Sequence, residues 1–318
     1  EGAVHLANFA LPGQLEGLSA NLAFEGGAEA VRLTGGAGEA ELELLQIAAT
    51  LPLKLSSKGA QWTASDPIEA TVLLAPTDTQ PLGRLLAGLV VPEGRLSAEL
   101  RLAGSLAAPR VGITASADAP LAPDGPTARV WLEAGLADGL AKVRLVLNQS
   151  FQSRLEANVA ARVNTDPLLA WLTSGQPRPD LEGLLTDFGG AVVLKQLPIA
   201  SIRVVAPFVG DVEGDLAGAF ALSGNPFAPR LQGGLNVVGA RVGSLRVEPA
   251  TLDLTPLPLG YKLNAAFGFV DLPGAATRAS CANAPGEPAG NVRLSGFFPL
   301  DDRFDLSRAG LAIDVAGA

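Results

Sequence analysis

The chain has 318 residues, 48% of them apolar and only 17% charged, a balance that excludes a disordered polymer because so much apolar surface demands burial or an apolar partner. A formal net charge of −9, with 23 Lys and Arg scattered along the chain, excludes nucleic acid as the expected partner, since phosphate binding draws on clustered cations. With 37 Gly and 24 Pro against 5% aromatics, many short strands joined by turns fit better than packed helices.

In chain order, the hydrophobic period is 2 in segment after segment. Strands are expected at 39–48, at 51–56, where Leu51, Leu53 and Leu55 alternate with Pro52, Lys54 and Ser56, and at 68–74. Residues 78–89 (DTQPLGRLLAGL) break the pattern. Asp at the start, Pro in the first turn and Leu at helical spacing predict a short amphipathic helix. From 95 to 102 the alternation is unbroken, with Leu96, Ala98, Leu100 and Leu102 against Arg95, Ser97, Glu99 and Arg101. That predicts a strand with one apolar and one wet face. Strands at 111–116, 129–133 and 140–147 follow, separated by Asp124-Gly125-Pro126 and Asp138-Gly139 turns. At 154–163 every odd position is apolar: Leu155, Ala157, Val159, Ala161 and Val163. A second short helix is predicted at 166–172 (DPLLAWL), then strands at 191–195, 202–205, 216–222 and 231–238. Residues 262–269 set Leu263, Ala265, Phe267 and Phe269 against Lys262, Asn264, Ala266 and Gly268, and strands at 291–296 and 310–315 close the series. Gly26-Gly27, Gly35-Gly36, Gly233-Gly234 and Pro273-Gly274 read as further turns.

Internal repetition organises these elements. Residues 94–112 (GRLSAELRLAGSLAAPRVG) and 214–232 (GDLAGAFALSGNPFAPRLQ) share seven of nineteen positions. The skeleton is Gly94/Gly214, Leu96/Leu216, Leu102/Leu222, Gly104/Gly224 and then Ala108-Pro109-Arg110 against Ala228-Pro229-Arg230. Physically it reads as a strand, a Gly-closed turn, a Pro that blocks strand continuation, and a return strand. The expected architecture is all-β: one continuous elongated antiparallel domain built of approximate units 1–77, 78–165, 166–240 and 241–318. Because the chain opens on Glu1 and lacks Met, it is expected to be a piece of a longer protein.

This skeleton, the short Pro-led helices between units and the paired-strand pattern of 133–163 resemble the TamB family, a branch of the AsmA-like, bridge-like lipid transfer proteins. The resemblance implies a sheet folded lengthwise into an open gutter with an apolar interior, tethered to the inner membrane by a segment outside this chain. It further implies a periplasmic location, phospholipid acyl chains as cargo and an Omp85-class outer-membrane barrel as partner. A plastid-envelope branch of the family makes the intermembrane space there an alternative location. Leu96, Ala98, Leu100, Leu102, Leu155, Ala157, Val159, Ala161, Val163, Leu263, Ala265, Phe267 and Phe269 are the residues expected to line the groove. The same mix of Leu and Val with many Ala also fits a second reading, in which small residues simply let two sheets approach.

Catalytic chemistry finds little support. His5 is the single histidine, so no Ser-His-Asp or Cys-His arrangement is expected, and no cofactor or metal site either. Asp211, Glu213 and Asp215 alternate like the start of a calcium loop, but Leu216 and Leu222 stand where that loop needs Gly and Glu, so a solvated acidic edge is expected. Asp301, Asp302 and Asp305 read as a charged turn, and the lone Cys281 excludes an internal disulfide. Asn148-Gln149-Ser150 is a formal glycosylation sequon. Trp62, Trp131 and Trp171 are expected as core anchors. The rival readings are a β-solenoid or sandwich stalk of a secreted surface protein, with a filled core, and a carbohydrate-active β-domain.

Overall fold

The computed structural model describes residues 2–11, 15–27, 30–39, 42–52, 54–56, 59–61, 63, 65–79, 93–105, 107–120, 127–167, 170–171, 180, 184–202, 212–225, 228–243, 245–257, 260–269, 290–299 and 310–317. The fold is all-β and antiparallel, with 17 strands hydrogen-bonded as one open sheet and two more in a separate pair. Two compact units divide the chain. The first comprises Glu1–Pro120, Thr127–Ser150 and Asn158–Phe188, the second Leu121–Pro126, Phe151–Ala157 and Gly189–Ala318.

The first unit holds β1 (Gly2–Leu11), β2 (Leu15–Gly26), β3 (Val31–Glu39), β4 (Leu42–Leu51), β7 (Glu69–Asp78), β8 (Arg95–Gly104), β9 (Pro109–Pro120), β10 (Thr127–Ala137) and β11 (Leu140–Gln149). Each pairs antiparallel with the next. The hairpin of β5 (Lys54–Ser56) and β6 (Gly59–Gln61) stands apart from them. Strands β12 (Gln152–Val163) and β13 (Leu185–Pro198) contribute residues to both units. The second unit continues with β14 (Val212–Asn225), β15 (Ala228–Val242), β16 (Leu245–Leu257), β17 (Gly260–Phe269), β18 (Gly290–Pro299) and β19 (Gly310–Gly317), again paired in sequence.

The repeated skeleton has one backbone meaning in both units. Gly104 stands opposite Pro109 at the last pair of the β8–β9 hairpin, and Gly224 opposite Pro229 at the last pair but one of β14–β15. Both glycines adopt positive φ, 90° and 96°, a conformation that a side chain resists. The tip of β8–β9 is closed by Ser105 and Ala108, each N–H donating to the other's carbonyl. Pro109 then opens the return strand β9, whereas in β15 Pro229 follows Ala228 at the second position. Leu96 lies opposite Ala117 and Leu216 opposite Val237, each within the apolar row of its own unit.

Several expectations are corrected. Leu51 and Leu55 do not share a strand: β4 ends at Leu51, Pro52 is buried, and Lys54 opens β5, while Leu53 lies outside the described residues. Gly35-Gly36 and Gly233-Gly234 are not turns but lie inside β3 and β15. A Cβ on Gly35 would strike the Asn21 carbonyl oxygen, and one on Gly233 the Ala219 carbonyl oxygen, so close backbone approach explains glycine there. The strand expected at 202–205 meets a helical turn, α1 (Ile199–Ile202), and its remainder lies outside the described residues. β16 was not expected at all. Pro249 and Pro256 interrupt its pattern, and the sheet accommodates Pro249 at a register shift between Val247 and Ala250. Of the expected helices, Asp78 ends β7, Thr79 is helical and residues 80–89 lie outside the described residues, while Asp166, Pro167, Ala170 and Trp171 are helical. Trp131 and Trp171 are exposed rather than core anchors, and Trp62 and Cys281 lie outside the described residues.

The buried core is thin. In the second unit Ala240, Val247 and Ala250 form a buried cluster, with Val237 and Phe267 packed against it. Among the described residues the most enclosed large apolar side chains are Leu184, Leu197 and Ile199, at 4%, 2% and 3% exposure.

Candidate functional site: an uncovered apolar sheet face

Because residues directly opposite in a ladder share a face, the register decides which predicted positions assemble. In the first unit Ile47, Val72, Leu100, Ile113, Ala134 and Val143 stand in one row across β4, β7, β8, β9, β10 and β11. The next row, two residues along, runs Leu45, Leu74, Ala98, Ala115, Leu132 and Leu145. On β8, Leu96 and Leu102 extend the same face, opposite Ala117 and Val111. That face carries no charged residue from β8 to β11. The opposite face carries Glu99, Thr114, Glu133 and Arg144 in a single row.

The β12 residues fall in both units. The Val163 N–H donates to the Gly139 carbonyl at 2.8 Å. Ala161 is buried, Val159 and Val163 half-buried, and Asn158 and Arg162 exposed, as the alternation predicts. Leu155 and Ala157 are half-buried, while the intervening Glu156 is bonded to Lys195 Nζ at 2.8 Å.

In the second unit Leu235, Leu252, Ala265, Leu294 and Ile313 make a row, and Leu254 with Leu263 and Ala250 with Phe267 flank it. Phe269 stands opposite Val247 and Gly290 in the register. The other face of the same strands runs Asn236, Thr251, Ala266, Arg293 and Asp314. Of the expected groove residues, the registers bring Leu96, Ala98, Leu100 and Leu102 onto one apolar face in the first unit and Leu263, Ala265 and Phe267 onto one in the second.

That face is poorly covered. Leu100 keeps 38% of its surface exposed, Ile113 37% and Val143 40%, although they sit at the centre of an apolar row. Fully covering such a side chain is worth about 1.5 to 3 kcal/mol, so the rows remain available to an apolar occupant. Alternation at 111–116 carried the signal for Val111, Ile113 and Ala115, which complete the site beside the expected residues. The rows of β16 were hidden by its prolines.

The wet face is held by ion pairs. Arg129 donates from Nε and Nη2 to the two carboxylate oxygens of Asp118 at 2.6 and 2.9 Å. This hydrogen bonding holds the Asp118 carboxyl below its ordinary range and raises the Arg129 guanidinium. Arg101 is raised likewise by its bond to Glu99 at 2.5 Å. Arg162 with Asp187 and Arg246 with Glu248 add further exposed pairs. A concavity of about 520 Å³, lined by Asn21, Thr34, Gly36, Gln46, Thr71 and Leu73, opens on this wet side of the first unit and contains none of the expected groove residues.

The remaining candidates assemble no reactive site among the described residues. His5 faces Asn21 in the β1–β2 register. Glu213 lies opposite Arg241 and Asp215 opposite Val238, with a register shift at Gly214 that breaks the acidic alternation. Asp211, Asp301, Asp302 and Asp305 lie outside the described residues. No cluster of His, Cys, Asp and Glu able to hold a metal occurs among the described residues, and no described helix is long and apolar enough to cross a membrane. The arrangement can hold apolar chains along the sheet face by burial alone. No protein-family model, no curated protein and no solved structure matches this chain.

Proposed function

We propose that this chain is a non-enzymatic, lipid-conducting segment whose apolar sheet face carries phospholipid acyl chains while head groups stay in water. The observation that carries the reading is the set of uninterrupted apolar rows, with Leu100, Ile113 and Val143 each more than a third exposed. A stalk with a filled core would close off the large side chains at the centre of its rows, as Leu184, Leu197 and Ile199 are closed off, whereas Leu100, Ile113 and Val143 are not. The resemblance to the TamB family supports the finer terms of the proposal: a curled sheet, transport between inner and outer membranes, a periplasmic location and an Omp85-class barrel partner.

Photocrosslinkers at Val159 and Asn158 test the reading on neighbouring positions of opposite faces. Lipid capture at Val159 and little at Asn158 is expected. Equal capture at both, or none at Val159, overturns it. In parallel, Leu100→Asp is expected to abolish capture at Val159, because a carboxylate among apolar chains costs several kcal/mol to desolvate, whereas Arg101→Asp leaves it intact.

A further inference from the structure

The wet face of the first unit gathers cations that lie far apart in sequence. Arg101, Gly112, Gly135 and Lys142 form one cross-strand row over β8, β9, β10 and β11. Arg110 lies two residues from Gly112 on the same face of β9, and Arg144 two residues from Lys142 on β11. Four exposed cations therefore surround two adjacent glycines, across about 14 Å of sheet. Three carboxylates border the cluster: Glu99, bonded to Arg101; Glu133, opposite Arg144; and Glu69 on β7, two residues from Thr71, which lies opposite Arg101, while Asp118 farther along β9 is paired with Arg129. Among the described residues Arg110, Lys142 and Arg144 make no ion pair. Four cations against three carboxylates leave the cluster net positive on a chain of net charge −9, with Arg110, Lys142 and Arg144 as its unpaired cations.

The glycines have no internal reason to be glycine. A Cβ on Gly112 would meet nothing within 4 Å, and one on Gly135 only the Val111 carbonyl oxygen at an ordinary 3.6 Å. Neither adopts the left-handed conformation. Glycine weakens a strand interior, and where the sheet does not require it, close approach from outside accounts for it. A third feature shares the face. Trp131, about 13 Å along β10 from Gly135, is 42% exposed and stands opposite Ser116 and Val146 rather than in the core.

We propose that this face docks the chain on the surface of a bilayer containing anionic phospholipid, with the four cations among the head groups, the bare glycine backbone in close contact and Trp131 at the interface. Charge complementarity selects the anionic surface, and an indole beside cations is the side-chain chemistry of the head-group layer. The docking face is opposite the acyl-carrying face, so the two properties are separable.

The test is co-sedimentation of the 318-residue chain with vesicles of phosphatidylcholine and phosphatidylglycerol at about three to one, against phosphatidylcholine alone, over a salt series. Preferential binding to the anionic vesicles, weakening with salt, is expected. Arg110→Glu with Lys142→Glu is expected to weaken it at least about tenfold, and Trp131→Ala by a smaller factor. Arg230→Glu with Arg293→Glu makes the same change of net charge on exposed residues of the second unit and is expected to leave binding unchanged. Leu100→Asp, which removes acyl capture under the functional reading above, is expected to leave docking intact. Equal binding to both vesicle types, or equal weakening by the two double variants, overturns the proposal. So does capture of an acidic polypeptide, such as polyglutamate, without vesicle preference, which assigns the patch to a protein partner. Circular dichroism of each variant separates lost docking from lost folding.

Discussion

Tyr261 is the single tyrosine of the chain, and its hydroxyl mends a gap in the sheet. Pairing of β15 with β16 begins only at Gly233, so Pro229 and Leu231 lie beyond the ladder on that side. The Tyr261 hydroxyl donates to the Pro229 carbonyl at 2.9 Å and accepts the Leu231 N–H at 3.0 Å, reaching from β17 across β16 to β15. Both backbone groups are partly buried, and stranding them costs more than a single exposed hydrogen bond. Tyr261→Phe is therefore expected to destabilise the chain by about 1 to 3 kcal/mol in urea unfolding while leaving its circular dichroism unchanged. A fall below a few tenths of a kcal/mol would show that water replaces the hydroxyl there. No sequence pattern announced this contact, since it joins residues 30 and 32 positions apart.

Among the elements, the β8–β9 and β14–β15 hairpins separate what a sequence can convey from what it cannot. Gly104 and Gly224 were legible because recurrence before a Pro marks a turn, and both occupy positive φ. Gly35-Gly36 and Gly233-Gly234 were misread, because a glycine pair looks alike whether it bends the chain or lets two backbones approach. Strand interiors with unbroken alternation, as at 95–102, located β8 and its faces correctly. Pro249 and Pro256 concealed β16, since tolerance of proline depends on a register shift that only pairing reveals. Gly104→Ala is expected to cost about 1 to 2 kcal/mol, for its backbone is left-handed and a Cβ would strike the Ala108 carbonyl oxygen. Gly112→Ala, in open space within a strand, is expected to be neutral or stabilising in the same unfolding assay. Equal losses at the two sites would remove the distinction between turn glycine and surface glycine.

Among the described residues, the decisive property at this scale is that apolar rows are sorted onto faces whose central Leu100, Ile113 and Val143 are not enclosed. The alternation made the sorting legible. The lack of enclosure was not, because the cover over a sheet face depends on tertiary packing that period 2 does not encode. A native chain with such faces is expected to bind an apolar dye such as ANS while keeping its β circular dichroism and a cooperative unfolding transition. Phospholipid is expected to displace the dye. Dye binding that appears only at the onset of unfolding would show instead that the native faces are closed.

Strand-by-strand pairing in chain order also governs how the molecule comes into being. Most all-β folds fold slowly because their strands must find distant partners, and the loop-closure entropy of those searches precedes any reward. Here Leu102 meets Val111 and Leu136 meets Ala141 across a single hairpin, and the following strand needs only the one just laid down. As the chain emerges from a ribosome or a translocation pore, each new strand finds its template already waiting, so the sheet can be assembled vectorially in the order in which it is made.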